Sequence, residues 1–507
     1  MFGGNLLSTA ILAASAIVIA RLLGPDMYGE YTLALLLPNI LLGLVGLGVA
    51  TGLTRFEAQH LAKGETSVAR RMTWNGTLFL LLFGGLLAVV SFAASGYVSS
   101  VVLHRPSLTS LAQFASLAVF SQGIITSVTS ALLGWNAMRS ISLVNIAQAT
   151  LKLLIATTLV FLGYGVFGAL LGLLTSYFVS GAVAILALYI VAKGLKREGE
   201  SAGTFIEDNV RMLRYGLPHH AGALVSSLAL QYVTVVLAVV ATNVVVGFYQ
   251  SAYNVLAGIT LTSSALTLTL FPAFAHLEGI KADTALAFRY AVKYTSLLVG
   301  PLIFFLIGAT TPIMQILYGP SFSAADNYLV LLCLAELPIL FGFPIFTSFF
   351  SGVGKTRLSM YFYFVGAATQ VALAPLLSIW LGLGVDGLIF SILLSNLVAT
   401  TLGLYFAQSL FAASIDSKAL ASIVVASLIA FASTLPFRAV GSSLLALVVD
   451  AAVFLLVYLT TAPLLGAIKQ DDVVRLGIAT KGMGFPSQVF TILLNYEARI
   501  LRLKSPK

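Results

Sequence analysis

The apolar residues of this chain fall in long runs, separated by short stretches of glycine, proline and charged residues. A run of about 20 apolar residues is long enough to cross the hydrocarbon core of a bilayer as an α-helix. Fourteen runs approach this length, and the breaks between them carry residues that typically interrupt helices. The pattern predicts membrane helices at 3–22, 31–53, 74–97, 109–133, 141–163, 166–192, 215–240, 246–271, 290–310, 326–350, 358–381, 385–410, 419–436 and 442–463.

Composition indicates that lipid, rather than water, surrounds most of the chain. Hydrophobic residues make up 59% of the sequence and charged residues only 9%, whereas a soluble domain carries roughly 25% charged residues. Within lipid each segment must satisfy its own backbone hydrogen bonds, and α-helices do this alone. Unbroken apolar runs also differ from the alternation typical of a membrane β-barrel. We therefore predict an all-α polytopic membrane protein, whose first run is a membrane helix rather than a cleaved signal.

The distribution of basic residues predicts the orientation in the membrane. Lysine and arginine accumulate in cytoplasmic loops of membrane proteins. With the N-terminus inside, almost all of the 27 lysine and arginine residues fall on the cytoplasmic side. The exceptions are Arg21, Arg105 and Arg438 outside and Lys152 within a helix. The bias predicts a multi-pass plasma-membrane protein with both termini in the cytoplasm.

An internal repeat relates the two halves of the chain with a shift of about 218 residues. Each copy spans six predicted helices, so the two copies have the same orientation, and transporters use such paired lobes to enclose a central site. The matching positions are Gly29 with Gly247, Tyr31 with Tyr249, Phe56 with Phe274, Arg71 with Arg289, 134–139 with 352–357, and 165–168 with 384–387. The predicted division is an N-lobe at 1–192, a cytoplasmic linker at 193–214, a C-lobe at 215–410, two appended helices at 411–463 and a cytoplasmic amphipathic tail at 464–507.

Two predicted helices carry a stripe of polar residues. In the fifth helix Asn145, Gln148 and Lys152 are spaced so that they share one face. This stripe either lines a wet cavity or forms a polar seam between helices of one lobe. In the seventh helix Gln231 shares a face with Ser227 and other polar residues, which has the same two interpretations.

Three further residues are candidates because charge is costly near lipid. Glu336 lies in a predicted helix that also contains Pro338 and Pro344, and an interrupted helix is tolerated where it lines a cavity or packs within protein. Glu336 is therefore a candidate for ion coupling. Arg21 and Arg55 end the first two helices and are either interfacial anchors or ligands for phosphate, which a guanidinium binds through two hydrogen bonds.

The sequence contains no motif that indicates catalysis, a cofactor or a metal. The segment Ser351–Thr356 lacks the first glycine of a nucleotide-binding loop, because Phe349 occupies that position. The lone Cys333 cannot form an intrachain disulfide. The tail from Gln488 to Lys504 alternates apolar and basic residues and predicts an amphipathic helix on the inner leaflet. We expect a protein that is not an enzyme and binds no cofactor, metal or nucleic acid.

The first two predicted helices carry a family signature. The segment Ala20–Tyr31, ARLLGPDMYGEY, is followed by Gly46–Arg55, GLGVATGLTR. It resembles the polysaccharide transporter (oligosaccharide flippase) branch of the multidrug/oligosaccharidyl-lipid/polysaccharide exporter superfamily, or MOP superfamily. The resemblance covers nearly the whole length, because the two six-helix lobes and two additional helices are similar to that family as well.

The resemblance implies a function and a partner. Members move a lipid-linked oligosaccharide from the inner to the outer leaflet, and their carriers are polyprenyl or dolichyl (pyro)phosphates. The resemblance also implies that cationic residues in a central cavity bind phosphate and sugar, and Arg21 and Arg55 are the positions that match its motif. Glycan-assembly enzymes are expected partners, together with membrane lipids.

Three other functions compete with the flippase. A cation-coupled small-molecule exporter of the related multidrug (MATE) branch is expected to hold a buried carboxylate in its N-lobe, and the predicted helices of this N-lobe contain no Asp or Glu away from their ends. A membrane glycosyltransferase or polymerase is expected to need external carboxylates and a large outer loop, but the outer loops here are short. An inactive scaffold for glycan assembly is the third alternative.

Overall fold

The computed structural model describes residues 2–193, 203–436, 443–480 and 485–504. Within these ranges the chain is helical and contains no strand, which confirms the all-α prediction. Short 3-10 and π-helical turns extend or link several of the α-helices. The α-helices are α1 (Phe2–Ala34), α2 (Leu36–Val45), α3 (Val49–Ala62), α4 (Thr66–Tyr97), α5 (Thr109–Ala115), α6 (Leu117–Gly134), α7 (Met138–Leu159), α8 (Gly165–Lys193), α9 (Phe205–Val240), α10 (Asn243–Gly279), α11 (Thr284–Gly308), α12 (Thr310–Tyr318), α13 (Ala325–Ala335), α14 (Ile345–Gly352), α15 (Thr356–Pro375), α16 (Gly384–Phe411), α17 (Ser417–Thr434), α18 (Leu444–Leu465), α19 (Gln470–Thr480) and α20 (Phe485–Lys504).

Eleven helical stretches of the described chain are long and apolar enough to cross a membrane. Two of these stretches, Gly3–Ala62 and Met138–Lys193, each cover two of the helices that the sequence predicts. A polytopic membrane protein is therefore confirmed, whereas the count of fourteen helices is not.

Glycine and proline interrupt helices at positions that the pattern of apolar residues does not predict. Helix α1 consists of two helical segments that meet at a kink, because Gly24 has a non-helical backbone (φ 75°, ψ 172°) directly before Pro25. The second predicted helix is divided into α2 and α3 because Leu47 and Gly48 both adopt positive φ. As a result α3 continues to Ala62, well beyond its predicted end.

The chain packs as two compact units, Met1–Ser251 and Ala252–Lys507. The two units are defined by packing, whereas the lobes were predicted from a sequence repeat. The division into lobes therefore stays a prediction.

The first unit has an apolar core where α3, α4, α6 and α9 pack together. Leu53, Leu80 and Met212 are fully buried in this core. A Cβ added at Gly216 would collide with the backbone of Gly48, so the α9 backbone approaches the end of the α2–α3 turn directly. Small residues at such crossings are typical of membrane helices, which gain no hydrophobic driving force against one another in lipid.

The second unit has a core of phenylalanine side chains from α10, α11 and α14. The rings of Phe288 and Phe349 lie 4.8 Å apart between centroids, and those of Phe274 and Phe349 lie 5.2 Å apart. Helix α17 packs on α11 and α18, which places the two appended helices within this unit.

A discontinuous helix crosses the second unit between α13 and α14. Helix α13 ends at Ala335, a 3-10 turn runs from Leu337 to Phe341, and Gly342 has a φ of 93° before α14 begins. The prolines at 338 and 344 explain the break, because proline lacks the backbone N–H that a helix interior uses.

The C-terminal helices pack on the protein as well as carrying an exposed face. Leu494 and Glu497 of α20 are buried, and the Tyr496 hydroxyl lies 2.8 Å from the Thr460 hydroxyl of α18. Ile492 on the same helix is 69% exposed. One side of the predicted amphipathic helix is therefore occupied by protein contacts.

Candidate functional site

The polar stripe of the fifth predicted helix lies on α7, at its contact with α1. The Asn145 side-chain amide donates a hydrogen bond of 3.3 Å to the Asn5 side-chain oxygen. A Cβ added at Gly4 would lie only 2.6 Å from the Ser142 Cβ, so the two helices are closely packed at this end. Gln148 and Lys152 follow on α7 and are partly buried. Asn145 thus takes part in a seam between α1 and α7, while cavity lining by Gln148 and Lys152 stays a prediction.

Arg55 lies on α3 and stacks against an aromatic ring of α9. Its guanidinium carbon is 3.8 Å from the centroid of the Tyr215 ring. The neighbouring Phe56 ring meets Tyr215 edge-on at 5.8 Å between centroids. Such a cation–π contact is worth about 0.5–1 kcal/mol at an exposed site. The contact orients the Arg55 side chain, which is otherwise exposed.

The other candidates occupy separate places. Arg21 is exposed on α1, three residues before the kink at Gly24. Gln231 is partly buried on α9. Glu336 belongs to the second unit, where it follows α13 at the start of the helix break, and the Asn396 amide donates to the carbonyl of the preceding Ala335 at 3.3 Å. In the structure Asn145 contacts α1 and Arg55 contacts α9. The assignment of all the candidate residues to one binding site stays a prediction.

A buried carboxylate lies in the first unit where none was expected. Glu57 of α3 is fully buried, and the Thr73 hydroxyl lies 2.6 Å from its Oε1 atom. The indole N–H of Trp135 donates to the Thr73 hydroxyl at 2.9 Å. The sequence analysis missed Glu57 because it predicted that the second helix ends at residue 53, whereas α3 continues to Ala62 and carries Glu57 into the packed interior.

Acidic residues that the sequence analysis did not single out bind basic residues on α4 and α11. In the first unit Arg71 donates two hydrogen bonds to Asp208, at 2.9 and 3.2 Å, and Asn75 donates a third at 2.7 Å. The partners lie more than a hundred positions apart in the chain, so no local pattern predicts the pairing. The internal repeat was the one sequence feature that indicated a role for Arg71, because it aligns Arg71 with Arg289.

The second unit contains a similar arrangement on α11. Lys293 and Asp472 form a closely spaced ion pair in which both side chains are buried. The Tyr294 hydroxyl donates to Asp472 at 3.0 Å, and Arg289 pairs with Asp416 at 3.0 Å. The shift of about 218 residues that relates Arg71 to Arg289 also relates Asn75 to Lys293.

Two carboxyl groups near the ion pairs of α11, both outside the membrane stretches, have altered affinities for protons. Burial, and then the charge of Asp472, raise the pKa of Glu497 to about 7. For Asp416, burial acts to raise the pKa, but the Ala419 N–H and Arg289 outweigh it and lower the pKa below its usual value. Among the residues that the structure describes, no group of three or more His, Cys, Asp or Glu residues is placed to hold a metal ion.

Long apolar helices in two compact units define the class of this protein, which has the fold of multidrug and lipid-flippase transporters. A lipid II flippase, MurJ, in an inward closed conformation has a TM-score of 0.72 at 13% identity, over 91% of this chain and 97% of that chain. An inward-facing MATE multidrug transporter of the MOP superfamily has a TM-score of 0.63 at 18% identity, over 80% of this chain and 95% of that chain. Identities this low show the fold alone.

Sequence comparison identifies the family. Residues 18–326 match the family described as polysaccharide biosynthesis protein, and the chain belongs to that family. The succinoglycan biosynthesis transport protein ExoT of Rhizobium meliloti is 25% identical over 365 residues, which are 70% of this chain and 69% of that protein. An uncharacterized membrane protein of Methanocaldococcus jannaschii is 23% identical over 389 residues, 73% of this chain and 87% of that protein. These matches confirm the resemblance to polysaccharide transporters.

Proposed function

We propose that this protein is a flippase, which moves a lipid-linked oligosaccharide or polysaccharide precursor from the cytoplasmic to the outer leaflet by alternating access. The match of residues 18–326 to the polysaccharide biosynthesis family carries this proposal. The fold shared with a lipid II flippase supports it. Transport without chemical conversion accounts for the function, so no enzymatic step is required.

The physical problem explains why such a carrier is needed. A sugar headgroup with phosphate cannot cross about 30 Å of hydrocarbon unaided, because its polar groups would lose their hydrogen bonds to water. Polar side chains between two lobes can replace those bonds while the lipid tail remains in the bilayer. The proposed substrate is a glycan on a polyprenyl or dolichyl (pyro)phosphate, and the proposed location is the plasma membrane with both termini in the cytoplasm.

Arg21, Arg55 and Lys152 are the proposed phosphate ligands, and Asn145, Gln148 and Gln231 the proposed sugar ligands. Arg55 is the best supported for geometry, because stacking on Tyr215 holds its guanidinium in a fixed orientation. A fixed guanidinium loses less conformational entropy when it binds phosphate through two hydrogen bonds. Glu336 is the proposed ion-coupling residue, since it lies at a helix break and such breaks are where transporters place their sites.

Deleting the gene tests the function directly. Lipid-linked glycan should accumulate on the cytoplasmic leaflet, and the wild-type gene should restore its export. Normal external glycan after deletion, in cells without a second copy of such a transporter, would contradict the proposal.

Substitutions test the ligand assignments in the complemented strain. Arg21→Ala, Arg55→Ala and Lys152→Ala should each reduce export by tenfold or more without reducing the amount of protein in the membrane, since each lost charge contact is worth at least about 1.4 kcal/mol. Lys63→Ala, which removes an exposed cation of the same unit, is the control. Unchanged export in all three variants would remove the assignments.

A MATE-type exporter is the second candidate, because its solved structures share the fold. An exporter of small cations should lower the accumulation of cationic dyes in cells that lack their own efflux pumps. Dye efflux together with normal glycan export after deletion would favour this candidate. Unaltered responses of Glu336→Gln to pH and Na⁺ would dismiss the ion-coupling role of Glu336 under either function.

A further inference from the structure

The ionised carboxyl group of Glu57 lies in a hydrogen-bond network that has fewer hydrogens than acceptors. The Thr73 hydroxyl lies 2.6 Å from Glu57 Oε1 and 2.9 Å from the backbone carbonyl oxygen of Ala69. The same hydroxyl oxygen accepts from the Trp135 indole. A hydroxyl carries a single hydrogen, so it cannot donate to Glu57 and to Ala69 together.

A proton on Glu57 completes this network. The Glu57 Oε1–H group then donates to the Thr73 oxygen, which accepts from Trp135 with its other lone pair, and the Thr73 hydrogen is left for Ala69. When Glu57 is ionised, Thr73 turns its hydrogen to the carboxylate and the bond to Ala69 is lost. Thr73 and Trp135 are thus positioning residues that can accommodate both forms.

The second oxygen of Glu57 lies in a position that disfavours charge. The Oε2 atom is buried, and no hydrogen-bond partner for it lies among the described residues. A Cβ added at Gly134 would collide with it, so Oε2 lies against the bare α-carbon at the end of α6. A buried carboxylate oxygen without a donor is unfavourable, because it loses its hydrogen bonds to water without gaining others.

The charged groups around Glu57 are engaged elsewhere. Arg71 binds Asp208, His60 contacts Glu65, and Arg55 stacks on Tyr215. Helix α6 contributes no charged residue. Other charged or titratable groups of α4 and α9 include Arg70, Glu207, Arg211, Arg214 and His220, and among the described residues none of these forms an ion pair with Glu57.

The second half of the repeat shows that packing does not require a carboxyl group here. The shift of about 218 residues aligns Glu57 with Ala275, Thr73 with Ala291 and Trp135 with Val353, while Gly134 aligns with Gly352. In the second unit a Cβ at Gly352 would lie 2.5 Å from the Phe274 Cβ, within an apolar core. The same helix contact is therefore built from apolar residues alone, and the polar network of the first unit must serve another purpose.

A metal cation does not fit the Glu57 site. Sodium and calcium ions need several oxygen ligands around them, but Gly134 fills the space beside Oε2 and no second carboxylate joins the described site. A proton is the cation that the site can take.

We propose that Glu57 is a proton-binding site, and that its proton controls the contact between α3 and the end of α6. With the proton bound, Oε2 is neutral and Gly134 packs against it. When the proton passes from Glu57 to water, the ionised carboxylate requires hydration and the end of α6 separates from α3. Under the proposed transport function, this step links a proton gradient to the transport cycle.

Proton binding can be measured on the purified protein in lipid nanodiscs, without any substrate. Infrared spectra recorded as pH is raised from acidic to alkaline should show the loss of a protonated carboxyl band, accompanied by release of a proton. Glu57→Gln should lose the Glu57 contribution to that band, while the contribution of other carboxyl groups such as Glu497 remains, and it should release one proton fewer. Glu278→Gln, which alters an exposed acid of the second unit, should leave the buried-carboxyl band unchanged. The same band and the same proton count in Glu57→Gln would overturn the proposal.

A second variant covers the case in which Glu57→Gln does not fold. Thr73→Val keeps the shape of the side chain and removes both the donor to the ionised carboxylate and the acceptor of the protonated carboxyl group. The ionised form loses more, because a hydrogen bond to a charged group is stronger than one between neutral groups. The carboxyl band should then persist to higher pH than in wild type. No change in its midpoint would contradict the network described above.

The transport consequence is tested separately. Glycan export by wild type should fall severalfold when a protonophore collapses the proton gradient, whereas residual export by Glu57→Gln should not respond. If neither protein exports glycan but Glu57 still titrates, the proposed function fails and the proton site stands. If wild type exports glycan regardless of the gradient, the link between the proton and transport fails.

Discussion

The two ion pairs on α11 differ in how much water reaches them. The Lys293 and Asp472 side chains are 5% and 4% exposed, whereas Arg289 is 45% exposed beside Asp416. A buried charge loses its hydration and depends on its partner, while an exposed charge is solvated with or without one. The same helix therefore carries one pair whose loss is costly and one whose loss is nearly neutral.

We predict that Lys293→Met lowers the free energy of unfolding of the second unit by about 3–5 kcal/mol, because it leaves the Asp472 carboxylate buried without its cation. Denaturant unfolding in detergent measures this change. Arg289→Ala is the control and should cost less than about 1 kcal/mol. Adding Asp472→Leu to Lys293→Met should recover much of the loss, and failure to do so would show that charge burial is not the cause.

Glu497 should make stability depend on pH near neutrality. Its pKa is about 7 in the folded protein, whereas the ordinary pKa of glutamate is 4.5, so the folded state binds the proton more tightly than the unfolded state. Stability therefore falls as pH rises from 4.5 to about 7 and is constant above that range, with a total change on the order of 3 kcal/mol. Glu497→Gln should abolish this slope. Equal slopes in both proteins, measured as melting temperature against pH, would exclude Glu497 as the cause.

At the scale of elements, corresponding helices of the repeat hold the segments that follow the lobes. Helix α4 binds Asp208 at the start of α9, and α11 binds Asp416 and Asp472 from the C-terminal part of the chain. The paired positions 71 and 75 correspond to 289 and 293. The residues at the second position differ in charge, because Asn75 is neutral and Lys293 is positively charged. The two halves therefore bind an aspartate at the same position, but with different strength.

Close backbone approach makes α9 sensitive to side-chain size. Gly216→Ala should prevent the packing of α9 against the α2–α3 turn, because its Cβ would occupy the place of the Gly48 backbone. Overpacking of this kind costs about 1–3 kcal/mol or more. The control is Gly258→Ala on α10, where a Cβ meets nothing within 4 Å and alanine favours the helix by about 0.5–1 kcal/mol. The melting temperature should fall for the first and not for the second.

At the scale of the whole molecule, the orientation in the membrane is still a prediction from charge. In a Cys333→Ser background, a membrane-impermeant thiol reagent applied to intact cells should label Ser107→Cys and not Lys63→Cys. Both positions are exposed in the structure, so accessibility within the protein does not bias the result. Labelling of Lys63→Cys alone would reverse the assigned topology.

Sequence predicted the class of structure well because lipid imposes one simple requirement. Apolar runs of sufficient length become helices whatever their detailed order, so the all-α membrane fold followed from the pattern alone. Helix ends were less predictable. Leu47 and Gly48 divide one apolar run through backbone conformation, which hydrophobicity does not encode.

The candidate site was predictable only in part. Asn145, Gln148 and Lys152 lie on one helix, α7, as their spacing predicted, whereas their common role stays a prediction. Glu57 was missed because its helix was expected to end at residue 53. The partners of Arg71 and Lys293 were missed because tertiary packing, rather than local sequence, brings Asp208 and Asp472 to them.

The pairing of Lys293 with Asp472 also has a consequence for biogenesis. These residues are 179 positions apart, so a ribosome that has inserted α11 must still make most of the second unit before the lysine meets its counter-charge. A nascent chain that stalls or is cut before α19 contains Lys293 without its counter-charge Asp472. Membrane quality-control proteases recognise defects of this kind. Loss of protein after C-terminal truncation would then report failed assembly, and it should not be mistaken for loss of a transport function.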